Sequence, residues 1–131
     1  MFWKKKIKSP DVSVIKLPNG SIYEGETTSS GTIHGKGKMT LSNGYFYEGR
    51  FYSGKYYGEG KLSRANGDIY EGEFLSGKYH GKGKMTYADG RVENGYWLAG
   101  NFLGEDAVGK AKYDKAVDDE DEDIRALQMR N

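Results

Sequence analysis

The chain has 131 residues, of which 36% are hydrophobic and 30% are charged, so we expect one domain with a thin core. Its formal net charge of +1 gives no sign of nucleic-acid binding, and the absence of cysteine excludes disulfides, cysteine-based zinc sites and thiol nucleophiles. Twenty glycines and eleven tyrosines against two prolines indicate tight turns in an ordered chain.

Residues 1–12 form a basic and aromatic N-terminal segment. Tryptophan and phenylalanine favour a membrane interface, and each lysine near an anionic bilayer contributes about 1 kcal/mol. The segment therefore predicts weak lipid binding, with a solvated chain end as the alternative. No apolar run follows the lysines, as a secretory signal requires, and none reaches the roughly 18–20 residues that span a bilayer. The candidate lipid-binding residues are Phe2, Trp3, Lys4, Lys5, Lys6 and Lys8.

An internal repeat follows. The stretch that starts at Tyr47 reads YEGRFYSGKYYGEGKLSRANGDI, and the one at Tyr70 reads YEGEFLSGKYHGKGKMTYADGRV. The predicted array covers residues 13–108, with a half copy at 13–22, copies at 23–46, 47–69 and 70–92, and a degenerate copy at 93–108.

Each copy carries two turn signals. One is a single glycine, as at Gly54, and the other is an Asn-Gly or Asp-Gly pair, as at Asn66-Gly67. We expect both residues of the Asn-Gly pair to adopt positive φ, as in the tight hairpin turns that favour this pair. Two turns per copy leave two strands, so each copy predicts one β-hairpin, and stacked copies predict one long antiparallel sheet.

Alternation along the predicted strands separates an aromatic face from a charged face. The aromatic side chains are expected to lie across the glycines of neighbouring strands. In a single layer nothing else covers this face, which favours a groove for a helix or peptide of a partner. Cover by the chain's own tail and packing of the rings on one another are the alternatives. The candidate partner-binding residues are Tyr23, Tyr47, Phe51, Tyr56, Tyr70, Phe74, Tyr79 and Trp97.

Other candidate sites are weak. His34 and His80 hold the same position two copies apart, roughly 19–20 Å, so they cannot share a metal ion, and we expect structural roles. Glu24, Glu48 and Glu71 form a ladder of equivalent carboxylates, and nothing separates their pKa values for acid–base catalysis. Neighbouring lysines are expected to pair with them. We therefore expect no catalytic residue, no metal site and no cofactor.

The tail, residues 109–131, is acidic. A short helix is predicted to begin at Asp123, with Ile124 and Leu127 on one face. Such a helix is marginal alone and would form best when docked, on this chain's groove or on another molecule.

The repeat pattern YxGxFxxGxxHGxGxxxxxxG resembles the MORN (membrane occupation and recognition nexus) family. The departures are Thr27, Glu93 and Asp106, which replace an aromatic residue, the leading tyrosine and a glycine. The resemblance implies an all-β fold, a curved single-layer antiparallel sheet of stacked hairpins, to which the tail sequence adds a short C-terminal helix.

The resemblance also implies a non-enzymatic scaffold or adaptor that binds a protein or peptide partner. The alternative it offers is a peripheral membrane protein that binds anionic phospholipid through the array and the basic N-terminus. It further allows a homodimer formed through one end of the sheet. A cytoplasmic location, with or without peripheral membrane contact, is the corresponding expectation.

Overall fold

The computed structural model describes residues 12–119. They form one open sheet of nine strands in chain order, each antiparallel to the next, followed by one helix. This confirms the predicted all-β sheet of stacked hairpins with a short C-terminal helix. The elements are β1 Val12–Lys16, β2 Ile22–Thr27, β3 Ile33–Thr40, β4 Phe46–Tyr52, β5 Lys55–Ser63, β6 Ile69–Leu75, β7 Lys78–Thr86, β8 Val92–Leu98, β9 Asn101–Gly104 and α1 Asp106–Asp119.

The two turns of each copy differ from the prediction in their backbone. Positive φ at both central residues occurs in the two-residue Ser53-Gly54 turn, with φ of 47° and 84°, and not in the Asn-Gly turn. In the latter, the amide of Gly67 donates to the carbonyl of Arg64 (3.0 Å), and only Gly67 has positive φ. This is a type I turn that ends in a left-handed glycine. The Asn66 side chain accepts the Asp68 amide proton (3.0 Å) and stabilises the turn.

The glycines inside the strands have two separate roles. Gly58 and Gly81 have φ of 70° and 71° and lie where the hairpin register shifts, so they permit a β-bulge. Gly60 and Gly83 have extended backbones, and a Cβ at either would collide with the ring of Tyr47 or Tyr70. The predicted placement of rings over glycine therefore holds for the second glycine of each pair, and the first serves the bulge.

The core is one continuous ladder of side chains along the aromatic face, defined as the side of the sheet that carries Tyr23, Tyr47 and Tyr70. Each of these tyrosines packs edge to face on an aromatic ring of the next copy, at centroid distances of 5.1–5.5 Å. Such pairs add about 0.5–1.5 kcal/mol each beyond the area they bury. The buried members are Tyr23, Met39, Tyr47, Phe51, Leu62, Tyr70, Phe74, Tyr79, Met85 and Trp97.

The fourth copy ends early. Strand β9 stops at Gly104, and α1 begins at Asp106, within the interval predicted as a degenerate copy up to residue 108. Close backbone contact at the helix start requires glycine, because a Cβ at Gly109 would overlap the carbonyl of Gly104. The pattern predicted a short C-terminal helix from Asp123, which lies outside the described residues, and α1 begins at an earlier position that the pattern did not identify.

Candidate functional site

The eight aromatic residues proposed from the sequence share one face but form its core. Tyr56 is partly exposed, and the other seven are at most 8% exposed. Tyr23, Tyr47 and Tyr70 are fully buried without any partner molecule. Packing of the rings on one another, one of the three alternatives, therefore accounts for these seven residues, and a ligand in a groove would contact other atoms.

Hydrogen bonds hold the buried phenols in place. Tyr47 donates its hydroxyl proton to the carbonyl of Arg50 (2.8 Å), and Tyr70 donates to that of Glu73 (2.9 Å). Tyr23 makes the same bond to Glu26 (2.6 Å). Burial, with a smaller contribution from Glu26, raises the pKa of Tyr23 to about 12, so the phenol remains a neutral donor.

Each of these hydrogen bonds lies across the register shift of its own hairpin. The buried tyrosines are therefore held by hydrogen bonds to the backbone as well as by ring packing.

A second row of side chains lies partly exposed on the aromatic face, and the sequence prediction missed it. Its members each stand two residues before an Asn-Gly or Asp-Gly pair, and that constant spacing is the signal that identifies them. Three are apolar and pack against the buried ladder. We call them the groove row: Leu17, Leu41, Arg64 and Tyr87.

Two members of the groove row, Leu17 and Leu41, border a depression of about 360 Å³, and Arg64 and Tyr87 continue the row beyond it. Leu17, Leu41 and Tyr56 contribute apolar walls, and the buried Met39 also lines it. The Lys55 side chain stands at its rim, beside the turn glycines Gly54 and Gly77. This surface combines exposed apolar atoms with a rigid floor, the usual composition of a peptide-binding groove.

The opposite side of the sheet, the charged face, carries two rows of charged residues that alternate with the glycines. Glu24, Lys38, Glu48 and Lys61 lie in one row and oppose one another across successive strands. The predicted pairing reaches ion-pair distance at Lys61 and Glu71 (4.0 Å), where both side chains are half exposed. Such pairs contribute about 0–1 kcal/mol. A trough of about 700 Å³ lies between the rows in the N-terminal half.

The second charged row contains like charges in direct opposition. Glu59 lies opposite Glu73, and Lys36 lies opposite Arg50. The Glu73 carboxylate lies against Gly81, and desolvation there raises the pKa of Glu73, with Glu59 raising it further. Directly opposed like charges destabilise a sheet.

We therefore expect Glu73→Gln to raise the free energy of unfolding at pH 7 by about 0.5 kcal/mol. The raised pKa of Glu73 means that the folded state favours the protonated acid, so the penalty is present at neutral pH and is relieved as the pH falls. The gain from the substitution should accordingly vanish in acid. Urea unfolding at pH 7 and pH 4 measures both. Glu71→Gln is the matched control, and it should be neutral or slightly destabilising because Glu71 faces Lys61.

The histidines have structural contacts. His34 Nδ1 accepts the amide proton of Ser53 (3.2 Å) and joins one copy to the turn of the next. His80 is buried and its Nε2 lies 2.8 Å from the Tyr113 hydroxyl. Burial lowers the pKa of His80.

Helix α1 lies on the charged face. It packs on β8 and β9, and its Tyr113 contacts His80 and Tyr96 there. The alternative in which the tail, residues 109–131, covers the aromatic groove does not hold for the part of it within α1, residues 109–119. The helix instead covers the last strands from the other side.

Several sequence predictions fall on residues that are not described. The lipid-binding candidates Phe2, Trp3, Lys4, Lys5, Lys6 and Lys8 all lie there, as does the helix from Asp123. Within residues 12–119, no helix is long and apolar enough to cross a bilayer. The same residues contain no cluster of three or more histidine or acidic side chains arranged to hold a metal ion.

Comparison with known proteins assigns the repeat. The family model of the MORN repeat matches residues 29–44, 47–69 and 70–90, and the search of curated proteins found no match. The first matched segment begins after Thr27, where the aromatic residue of the pattern is missing, and the half copy and the degenerate copy lie outside the matches. The chain therefore contains three consecutive segments, between residues 29 and 90, that match the MORN repeat.

Proposed function

We propose that this protein is a non-enzymatic adaptor or scaffold that binds a helix or peptide of a protein partner along the groove row. MORN repeats are a non-catalytic family, and they imply protein or membrane interaction in general. Tyr56 remains a proposed contact residue. The other seven aromatic residues proposed from the sequence would support the groove from below.

The observation that carries this proposal is a row of large side chains that are partly exposed above a rigid floor. Leu17, Leu41 and Tyr87 pack on the buried ladder with one side and face away from it with the other. Helix α1, the last described element, lies on the opposite face. Partly exposed apolar side chains aligned in a row are candidates for an interaction site.

The alternative, binding of anionic phospholipid, depends on the basic N-terminal segment. Its proposed residues are outside the described range, so the geometry adds nothing to the argument from composition. Binding of a helix or peptide along the groove row is accordingly the function that the described residues support best.

Site-specific photo-crosslinking tests the groove. A benzoylphenylalanine at position 41 should crosslink a protein partner, and the same group at position 38, on the charged face, is the control. Leu41→Asp should then weaken binding of the purified partner by about 10- to 100-fold, since a buried leucine contributes about 1.5–3 kcal/mol. Crosslinking at position 38 but not at 41, or unchanged affinity of Leu41→Asp, would refute the groove.

Flotation of the protein with phosphatidylserine vesicles distinguishes lipid binding from peptide binding. If the groove binds a peptide and not lipid, Leu41→Asp leaves the amount of protein that floats with the vesicles unchanged.

A further inference from the structure

The groove row contains one charged residue among apolar ones. Arg64 occupies the position that holds Leu17 and Leu41 in the preceding copies and Tyr87 in the next. The geometry points to Arg64 as the residue that makes the groove selective for a partner segment with a carboxylate between two apolar contacts. This inference rests on the proposed peptide-binding function and specifies the chemistry of the partner.

The Arg64 guanidinium is held in position rather than free in solvent. The Cζ atom of Arg64 lies 6.0 Å from the centre of the Tyr79 ring, within the distance of a cation–π interaction. Its Nη1 lies 3.7 Å from Oδ2 of Asp68, whose side chain is 10% exposed. The side chain of Arg64 remains 36% exposed. The partner would therefore meet a cation with a defined orientation.

The charge of Arg64 is incompletely matched. Asp68 is shared between Arg64 and other donors, because its Oδ1 accepts the amide proton of Ala88 (2.8 Å) and its Oδ2 accepts a proton from the Asn66 side chain (3.2 Å). The Arg64 Nε–H is buried and has no acceptor among the described residues. A guanidinium carries five N–H donors, and because the Nε–H is buried, a further acceptor would bind the Nη N–H groups of this partly exposed side chain. A carboxylate fits best, because its two oxygens match the planar fork of the guanidinium.

The spacing of the groove row specifies where the partner's apolar residues must lie. Equivalent positions of successive copies are two strands apart, or about 10 Å along the sheet. In a helix that runs along the row, 10 Å corresponds to about seven residues at 1.5 Å per residue. Residues seven apart also share one face of a helix. The matching segment thus has an acidic residue facing Arg64 and apolar residues seven positions before and after it, facing Leu41 and Tyr87.

The test uses two synthetic helical peptides and the full chain. Both carry leucines seven residues on either side of the central position, which is glutamate in one peptide and glutamine in the other. Calorimetric titration should show at least tenfold tighter binding of the glutamate peptide. Arg64→Leu, which restores the residue type of the preceding copies, should bind both peptides equally. Arg91→Leu is the control, and it should keep the preference because Arg91 pairs with Asp89.

A measurement on the unchanged protein covers the case in which Arg64→Leu does not fold. The Arg64 Nε–Hε resonance should shift on addition of the glutamate peptide and not of the glutamine peptide. Equal affinity of the two peptides for the unchanged protein would overturn the role of Arg64 and leave the groove intact. A glutamate preference that survives in Arg64→Leu would overturn it as well. Failure of both peptides to bind would refute the groove itself.

Discussion

Tyr70→Ala is expected to lower the free energy of unfolding by about 3–5 kcal/mol, the range for a large aromatic residue removed from a core. Tyr70 is fully buried and stacks on Tyr79 at 4.1 Å with an interplanar angle of 18°. It also meets Phe74 and Trp97 edge to face and donates to the carbonyl of Glu73. Removal of the ring therefore takes out contacts to two hairpins at once. Urea unfolding followed by circular dichroism measures the loss.

The matched control is Tyr52→Ala. Tyr52 is 44% exposed, and we expect its replacement to change stability by about 0.5 kcal/mol or less. A loss below about 1 kcal/mol for Tyr70→Ala would show that the ladder is not the main source of stability. The prediction also affects how binding is tested, because variants of the buried aromatics would lose partner binding simply by unfolding.

Gly83→Ala is expected to cost about 3 kcal/mol, at the upper end of the range for overpacking. The backbone of Gly83 is extended, so alanine brings no conformational strain, but its Cβ would occupy the space of the Tyr70 ring and hydroxyl. On its other side, Trp97 donates from Nε1 to the carbonyl of Gly83 (3.0 Å), which restricts how far this strand can move. Thermal and urea unfolding of the variant measure the cost.

The half copy supplies the control for Gly83. Ser13 holds the same register position in β1 and pairs with Gly25, as Gly37 does from β3. A side chain is tolerated at position 13 in the described structure, so we expect Ser13→Ala to change stability by about 0.5 kcal/mol or less. Equal costs for Gly83→Ala and Ser13→Ala would contradict the assignment of Gly83 as the floor beneath a ring.

Gly81→Ala separates the two kinds of strand glycine. With φ of 71°, Gly81 is in the left-handed region, so alanine there brings backbone strain of about 1 kcal/mol. The sequence shows two glycines with equal spacing in each of the copies at 23–46, 47–69 and 70–92, and it cannot separate these roles. The bulge at Gly81 is a shift in the hydrogen-bond register between two strands. The ring above Gly83 belongs to Tyr70 on the adjacent strand, so both roles depend on how the strands pair.

The repeat length, the number of strands, their order and their two faces follow from the sequence. A 23-residue period with two turn signals allows one hairpin per copy, and the alternation from Tyr47 to Phe51 assigns one face to aromatics. These features are local, so each copy specifies them independently and the copies reinforce one another. The match of three MORN repeats agrees with that reading over residues 29–90.

The tertiary structure decided which aromatic atoms remain accessible and where the helix lies. Tyr47 and Tyr70 are buried because each ring fills the gap above a glycine of the adjacent strand, which depends on register between strands and not on composition. Helix α1 reaches the charged face through the contact of Tyr113 with His80, two residues 33 positions apart. Arg64 pairs with Asp68 in its own turn, but its ring contact with Tyr79 is a contact between strands that folding brings about. Long-range contacts of this kind have no signature in a local pattern, and they determine which side of the ladder is available to a partner.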